Sequence, residues 1–142
     1  MSKTIQFIAF GDPKGQPRPR AFSRGGITRM YDPGTAEGWK GQIAAAAMPH
    51  KPAAQLEGPL HVTLLFRFAR PKSHWSKKGL KPTAPEYHTS KPDADNLAKA
   101  VLDCITQLGF WRDDAQVAAL DVRKKYANAE PFCEITITPI ER

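Results

Sequence analysis

"SKPDADNLAKAVLDCITQLGFWRDDAQV", residues 90–117, holds the clearest helical pattern in the chain and five carboxylates: Asp93, Asp95, Asp103, Asp113 and Asp114. Leu97, Val101, Ile105 and Leu108 recur at helical spacing, with Ala98 and Leu102 beside them. That is one broad apolar stripe, the mark of a helix lying on a core. Asp93 or Asp95 is placed to cap its start, and Gly109 to sit just past its end. On both sides of this helix the period changes to two. Upstream, Leu60, Val62, Leu64, Phe66 and Phe68 fall at every second position, between His61, Thr63, Leu65 and Arg67. Downstream, Ala118, Leu120 and Val122 alternate with Ala119, Asp121 and Arg123, then Cys133, Ile135 and Ile137 with Glu134 and Thr136. These read as half-buried strands, the last two joined by a short connection through Asn128.

Further out the chain is less regular. Thr4–Phe10 alternates and reads as a strand. "GDPKGQPRPRAFSRGG", residues 11–26, is rich in proline and glycine and is expected to be an irregular, exposed basic loop. From Thr35 the pattern is helical, with Trp39, Ile43 and Ala46 or Ala47 on one face; Pro49 ends it. Residues 70–92 carry a further proline-rich basic stretch and read as a long loop, a feature that in compact domains is usually functional or disordered. The order is β-α-β-loop-α-β-β. The expected fold is α/β in the α+β sense: one domain over residues 1–142, a mixed sheet of about four strands, and two helices packed on it as a second layer.

At 142 residues the chain is long enough for a real core. No apolar run approaches bilayer length, and the N-terminal apolar stretch is too short for a secretory signal. A cytoplasmic protein with no membrane partner is expected. Cys104 and Cys133 fall at apolar positions and read as reduced core residues. The net charge of +7 is unevenly placed. Lys14, Arg18, Arg20, Arg24 and Arg29 lie between Pro13 and Tyr31 with no acid among them. Arg67, Arg70, Lys72, Lys77, Lys78, Lys81 and Lys91 follow in the second loop region, against Glu86 alone. Two segregated basic loops favour a nucleic-acid or phosphate partner.

Against that background the acids of residues 93–114 need a reason. Capping explains one of them. The helix carries the chain roughly 20 Å from Asp95, and the extended segment after Gly109 reaches at most about 17 Å back. "FWRDD" is therefore long enough to return Asp114 toward Asp95. Converging carboxylates require a counter-charge, and Mg²⁺ suits hard oxygen ligands shared with substrate phosphates. Bound there, it would activate water and neutralise charge on a phosphodiester. Lys99, one turn after Asp95, either stabilises the phosphate or pairs with Asp95 and Asp103. Asn96 is either a supporting donor or an ordinary first-turn residue. Phe110 and Trp111 read as packing anchors for the return segment. Trp75, among Lys72, His74, Lys77 and Lys78, is a candidate for base stacking or for pinning its loop. His74 and His88 have no zinc-like spacing.

"DADNLAKAVLDCI" followed by "GFWRDDAQV" resembles the signature of the RusA family of Holliday-junction resolvases: D-x-D-N, a lysine four residues after the second Asp, a further Asp, then D-D-x-x-V. "PKGQPRPR" after the first strand resembles a variant found in phage-encoded members. The resemblance implies a homodimeric endonuclease dependent on Mg²⁺, with Mn²⁺ as a substitute, that nicks a four-way DNA junction symmetrically. Carried over by motif, Asp93, Asp95 and Asp114 would be metal ligands, with Asp113 as a further one, and Lys99 the essential lysine. The long proline-rich loop is not a feature the resemblance carries over; from the charge of the two basic loops, Lys14, Arg18, Arg20, Arg70, Lys72, Lys77 and Lys78 are the expected DNA contacts. Two other readings remain: a junction-binding protein without catalysis, and a nucleotide-sugar transferase using Asp93 and Asp95. A calcium loop fails, because Leu97 and Ala98 stand where a ligand and a glycine are needed.

Overall fold

Alternation in the first strand, β1 (Ile5–Phe10), buries Phe7 and Ala9 and leaves Gln6, Ile8 and Phe10 outside. In this computed structural model, residues 3–16, 20–24, 27–31 and 35–141 are described, the side chains of 20–24, 27–31 and 35 excepted. After β1 come β2 (Arg20–Arg24) and β3 (Ile27–Tyr31), then helix α1 (Thr35–Ala47) with a 3₁₀ turn at Met48–His50. β4 (Leu60–Phe68) follows, then the short β5 (Trp75–Ser76) and β6 (Gly79–Leu80). Helix α2 (Ala94–Leu108) leads through a 3₁₀ turn at Asp114–Gln116 into β7 (Val117–Tyr126) and β8 (Phe132–Pro139).

The main sheet has the order β1-β8-β4-β7. β4 and β7 are parallel; the other pairs are antiparallel. A parallel pair needs a crossover, and α2 is that crossover. Both helices lie on one face of the sheet. Trp39, Ile43 and Ala47 of α1 and Leu97, Val101 and Ile105 of α2 close over Phe7, Val62, Leu64, Phe66, Ile135 and Ile137 in one core. Cys104 and Cys133 are free thiols inside it; burial raises both above the ordinary thiol range. The expected α+β two-layer fold with a four-stranded mixed sheet and two helices is what forms.

β7 and β8 are joined by the expected short connection through Asn128 and flank β4 on opposite sides. Three local expectations are corrected. Residues 11–26 are not irregular throughout, because Arg20–Arg24 pairs antiparallel with Ile27–Tyr31. The 70–92 segment likewise contains a 3₁₀ turn and the β5–β6 ribbon. Finally, the stripe Ala118–Leu120–Val122 is broken. The register moves from Leu60↔Val117 to His61↔Ala119, so Ala118 is an extra residue at a bulge and is exposed. Leu120 pairs with Val62, but on an edge strand it stays 44% exposed. None of the described helices is long and apolar enough to cross a membrane.

Candidate active site

Asp93 occupies the N-cap position of α2 with extended backbone (φ −70°, ψ 148°), and its carbonyl accepts the first helical bond from Leu97 N at 3.0 Å. Its carboxylate caps no N–H group. The capping role that composition allowed it is therefore not performed by its side chain. Asp95 lies in the first turn and is exposed; its Oδ1 accepts from Asn96 N at 2.9 Å.

Asn96, between the acids and the apolar stripe, turns toward the N-terminal loop. Its Nδ2 donates to the Gln16 carbonyl at 3.1 Å, and Gln16 N donates to the Asn96 carbonyl at 3.0 Å. Gly15 fits here because it has no Cβ: one built there would collide with Asn96 Nδ2 and stand 3.1 Å from Asn96 Cγ. The first basic loop is thus clasped onto the start of α2, one residue after Lys14. Sequence reasoning left Asn96 undecided and did not single out Gly15. The signal was a polar residue inside the D-x-D-N motif and a glycine between Lys14 and Gln16, but nothing in order along the chain links residues so far apart.

The other end of the site is built by the return segment. Gly109 takes the left-handed conformation (φ 89°) and its N–H bonds the Thr106 carbonyl at 3.0 Å, reversing the chain. Phe110 and Trp111 are fully buried, as expected of anchors. Trp111 Nε1 donates to Thr106 Oγ1 at 2.7 Å, and Leu56 N to the Phe110 carbonyl at 2.8 Å. Asp113 then caps the 3₁₀ turn: its Oδ1 accepts from Ala115 N at 2.9 Å, while Gln116 Oε1 accepts from Asp113 N at 3.3 Å. That is a reciprocal capping box, so one Asp113 oxygen already has a structural partner.

Asp114 is exposed beside this cap. Partial burial, the adjoining Asp113 and the charge of Asp103 push its carboxyl above the usual carboxylate range; Lys99 pulls the other way. The return segment therefore brings Asp114 to the face of α2 that carries Lys99 and Asp103. By helix rise, Lys99 lies about 6 Å along the axis from Asp95.

Among the described residues, no three His, Cys, Asp or Glu side chains stand close enough together to hold a metal ion. The donor set nevertheless suits a hard divalent cation in kind, being carboxylate oxygens without thiol or imidazole. The two ion pairs among the described residues are His61–Asp121 and Lys125–Glu86. Asp93, Asp95, Asp103, Asp113 and Asp114 enter none, and Lys99 pairs with neither Asp95 nor Asp103 within 4.0 Å.

The basic residues divide. Lys14 is half-buried next to the clasp; Lys72, Lys77 and Lys78 are exposed. Arg18 and the side chain of Arg20 lie outside the described residues. Arg70 is engaged within the protein. Its Nε donates to Asn128 Oδ1 at 2.9 Å and its Nη1 to the Pro85 carbonyl at 2.7 Å, and its guanidinium stands 5.1 Å from the Tyr126 ring centre. Arg70 therefore has a structural role that the sequence did not show, with Nε and Nη1 of its planar fork taken by these acceptors.

Comparison with known proteins gives concordant results. The family model described as Endodeoxyribonuclease RusA matches residues 11–138. The chain is 34% identical over 139 residues to the Bacillus subtilis protein YqaN, itself described as uncharacterized, covering 96% of each. It is 32% identical over 101 residues to a crossover junction endodeoxyribonuclease of Lactococcus phage r1t, covering 69% of this chain and 70% of that one. Over 46 residues, 32% of this chain and 38% of the relative, it is 48% identical to the crossover junction endodeoxyribonuclease RusA of Escherichia coli K12.

Proposed function

The chain belongs to the RusA family of endodeoxyribonucleases, and we propose that it resolves four-way DNA junctions by paired, Mg²⁺-dependent nicks as a homodimer. One observation carries this reading. In a chain of net charge +7, the five carboxylates of residues 93–114 have no Lys or Arg within ion-pair distance, 4.0 Å, among the described residues. Uncompensated acids in a basic protein are poised for a cation that comes with the substrate.

Asp93, Asp95 and Asp114 would hold the ion, with the remaining Asp113 oxygen beside them. When bound, a Mg²⁺-type ion supplies charge neutralisation and a water acidic enough to attack a phosphodiester. The protein's own groups do the rest. Lys99, which makes no ion pair within 4.0 Å, would meet the charge that grows on the phosphate oxygens. The clasped Lys14 loop and the exposed Lys72, Lys77 and Lys78 hold flanking phosphates. The uncovered sheet face, with Ile8 and Phe10 exposed and Asp121 and Glu134 alongside Arg123 and Lys125, is mixed in charge and suits a second copy in a two-fold contact. A two-fold dimer would set one site at each of two equivalent strands of a junction.

The rival reading is a junction-binding protein without catalysis. It is favoured by the absence of a ready-made group of three ligands among the described residues. Purified protein and an end-labelled four-way junction, with and without Mg²⁺, decide between them. The enzyme reading expects symmetric nicks that require the ion and vanish in Asp95→Asn, with junction binding kept. Binding without Mg²⁺-dependent cleavage by the wild-type protein would leave the rival.

A further inference from the structure

Beyond the junction-resolving reading, and resting on it, we propose that the β5–β6 ribbon is a wedge that inserts the Trp75 indole among unstacked bases at the branch point of DNA. Trp75 and Leu80 are directly opposite one another in the ribbon, so their side chains share one face. That face is open: Trp75 is 38% and Leu80 39% exposed. Lys77 and Lys78 form the turn between them, and Lys72 and Lys81 flank it. From Arg70 to Pro85 there is no acid. An apolar, aromatic face rimmed by ammonium groups matches a base stack rimmed by phosphates.

A wedge must be stiff, and this one is. Ser76 Oγ accepts from Lys78 N at 3.2 Å and donates to the Gly79 carbonyl at 3.3 Å, while Gly79 takes φ 115°, a conformation suited to glycine. At the base, Lys81 N bonds the His74 carbonyl at 2.9 Å. Below that, Arg70 bonds Asn128 and Pro85, His74 sets its edge on Tyr126, and His88 stacks on Phe68 at 3.9 Å. Tyr126 N to the Glu86 carbonyl and His88 N to the Lys124 carbonyl fix the far end to β7. The loop is thus pinned by Arg70, His74 and His88. Trp75 has no ring partner among the described residues and is left at the tip. The same segment continues through Ser90, whose carbonyl accepts from Lys124 Nζ, to Asp93, so ribbon and carboxylates share one anchored strap.

The test uses the full chain in EDTA with a four-way junction carrying 2-aminopurine at the branch point, and linear duplex as control. The wild-type protein should raise branch-point fluorescence on binding, with no rise at flanking positions. Trp75→Ala should abolish the rise and weaken junction binding about tenfold, as loss of one base stack does, while leaving duplex binding unchanged. Trp75→Phe should restore much of both. Lys77→Ala with Lys78→Ala should instead weaken junction and duplex alike. Wild-type fluorescence and junction affinity retained in Trp75→Ala would overturn the wedge and leave the resolvase reading standing. A wild-type protein with no preference for junction over duplex would overturn that reading and the wedge with it.

Discussion

Gly15→Ala tests the link between the first basic loop and the acidic helix start. The new methyl would collide with Asn96 Nδ2 and come within 3.1 Å of Asn96 Cγ and 3.5 Å of its Cβ. Asn96 is held on α2, whose next two residues, Leu97 and Ala98, are buried, so the loop must yield. Two hydrogen bonds go with it, Asn96 Nδ2 to the Gln16 carbonyl and Gln16 N to the Asn96 carbonyl. At about 0.5–1.5 kcal/mol net for each bond, the clasp is worth about 1–3 kcal/mol. The loss falls on loop docking more than on the core, so the melting temperature should drop by only a few degrees. Junction affinity measured across a salt series is the informative assay. If the clasp sets Lys14 and its neighbours against phosphates, affinity should fall about 5- to 150-fold, and the slope against log salt should flatten by about one unit for each lost contact. Asn96→Ala should do the same, and the double variant should be little worse than either, because both act on one contact. An unchanged salt slope, or fully additive losses, would refute the reasoning.

Four further outcomes are expected. Asp114→Asn should abolish cleavage and spare junction binding, read on the same labelled substrate. In a pH series at limiting Mg²⁺, where proton and ion compete for Asp114, cleavage should fail on the acid side at a higher pH than an ordinary carboxylate would give, because the raised carboxyl of the metal-free chain takes up its proton early; saturating Mg²⁺ should move the limb down. Asp103→Asn removes one cause and should move that limb to lower pH. Arg70→Ala removes two charge-assisted bonds and should cost about 2–4 kcal/mol locally, seen as faster hydrogen exchange over residues 70–90. His88 is held neutral by burial and by Lys124, below its ordinary value of 6.5. The unfolded chain then binds its proton first as pH falls. Stability from this residue is full above about pH 6.5 and declines below it; His88→Gln should flatten that decline in thermal melts.

Much of this fold could be read along the chain because the informative elements repeat in sequence. β4 shows strict alternation, and α2 shows its stripe, its N-terminal acid and its closing glycine. The missed features depend on neighbours that order does not reveal. The bulge at Ala118 exists because β7 pairs with β4, and Leu120 is exposed because β7 is an edge. Arg70 looked like a free cation until Asn128 and Pro85 were placed around it. Among the site residues, the chain's own reversal at Gly109 made a return of Asp114 along α2 readable, and the sequence aimed it at Asp95. That the charges of Lys99 and Asp103, set mid-helix, act on Asp114 was not legible in the sequence. Asn96 gained a role only when Gly15 and Gln16 arrived from far upstream.

The claim beneath all of this is that the carboxylates at the start of α2 and the one delivered by the return segment serve a single divalent ion. An anomalous difference map from crystals soaked in Mn²⁺ tests it directly. One peak per subunit, bonded to oxygens of both Asp95 and Asp114, is the expected result. Two separate peaks that never share a ligand, or none with either carboxylate bonded, would contradict it.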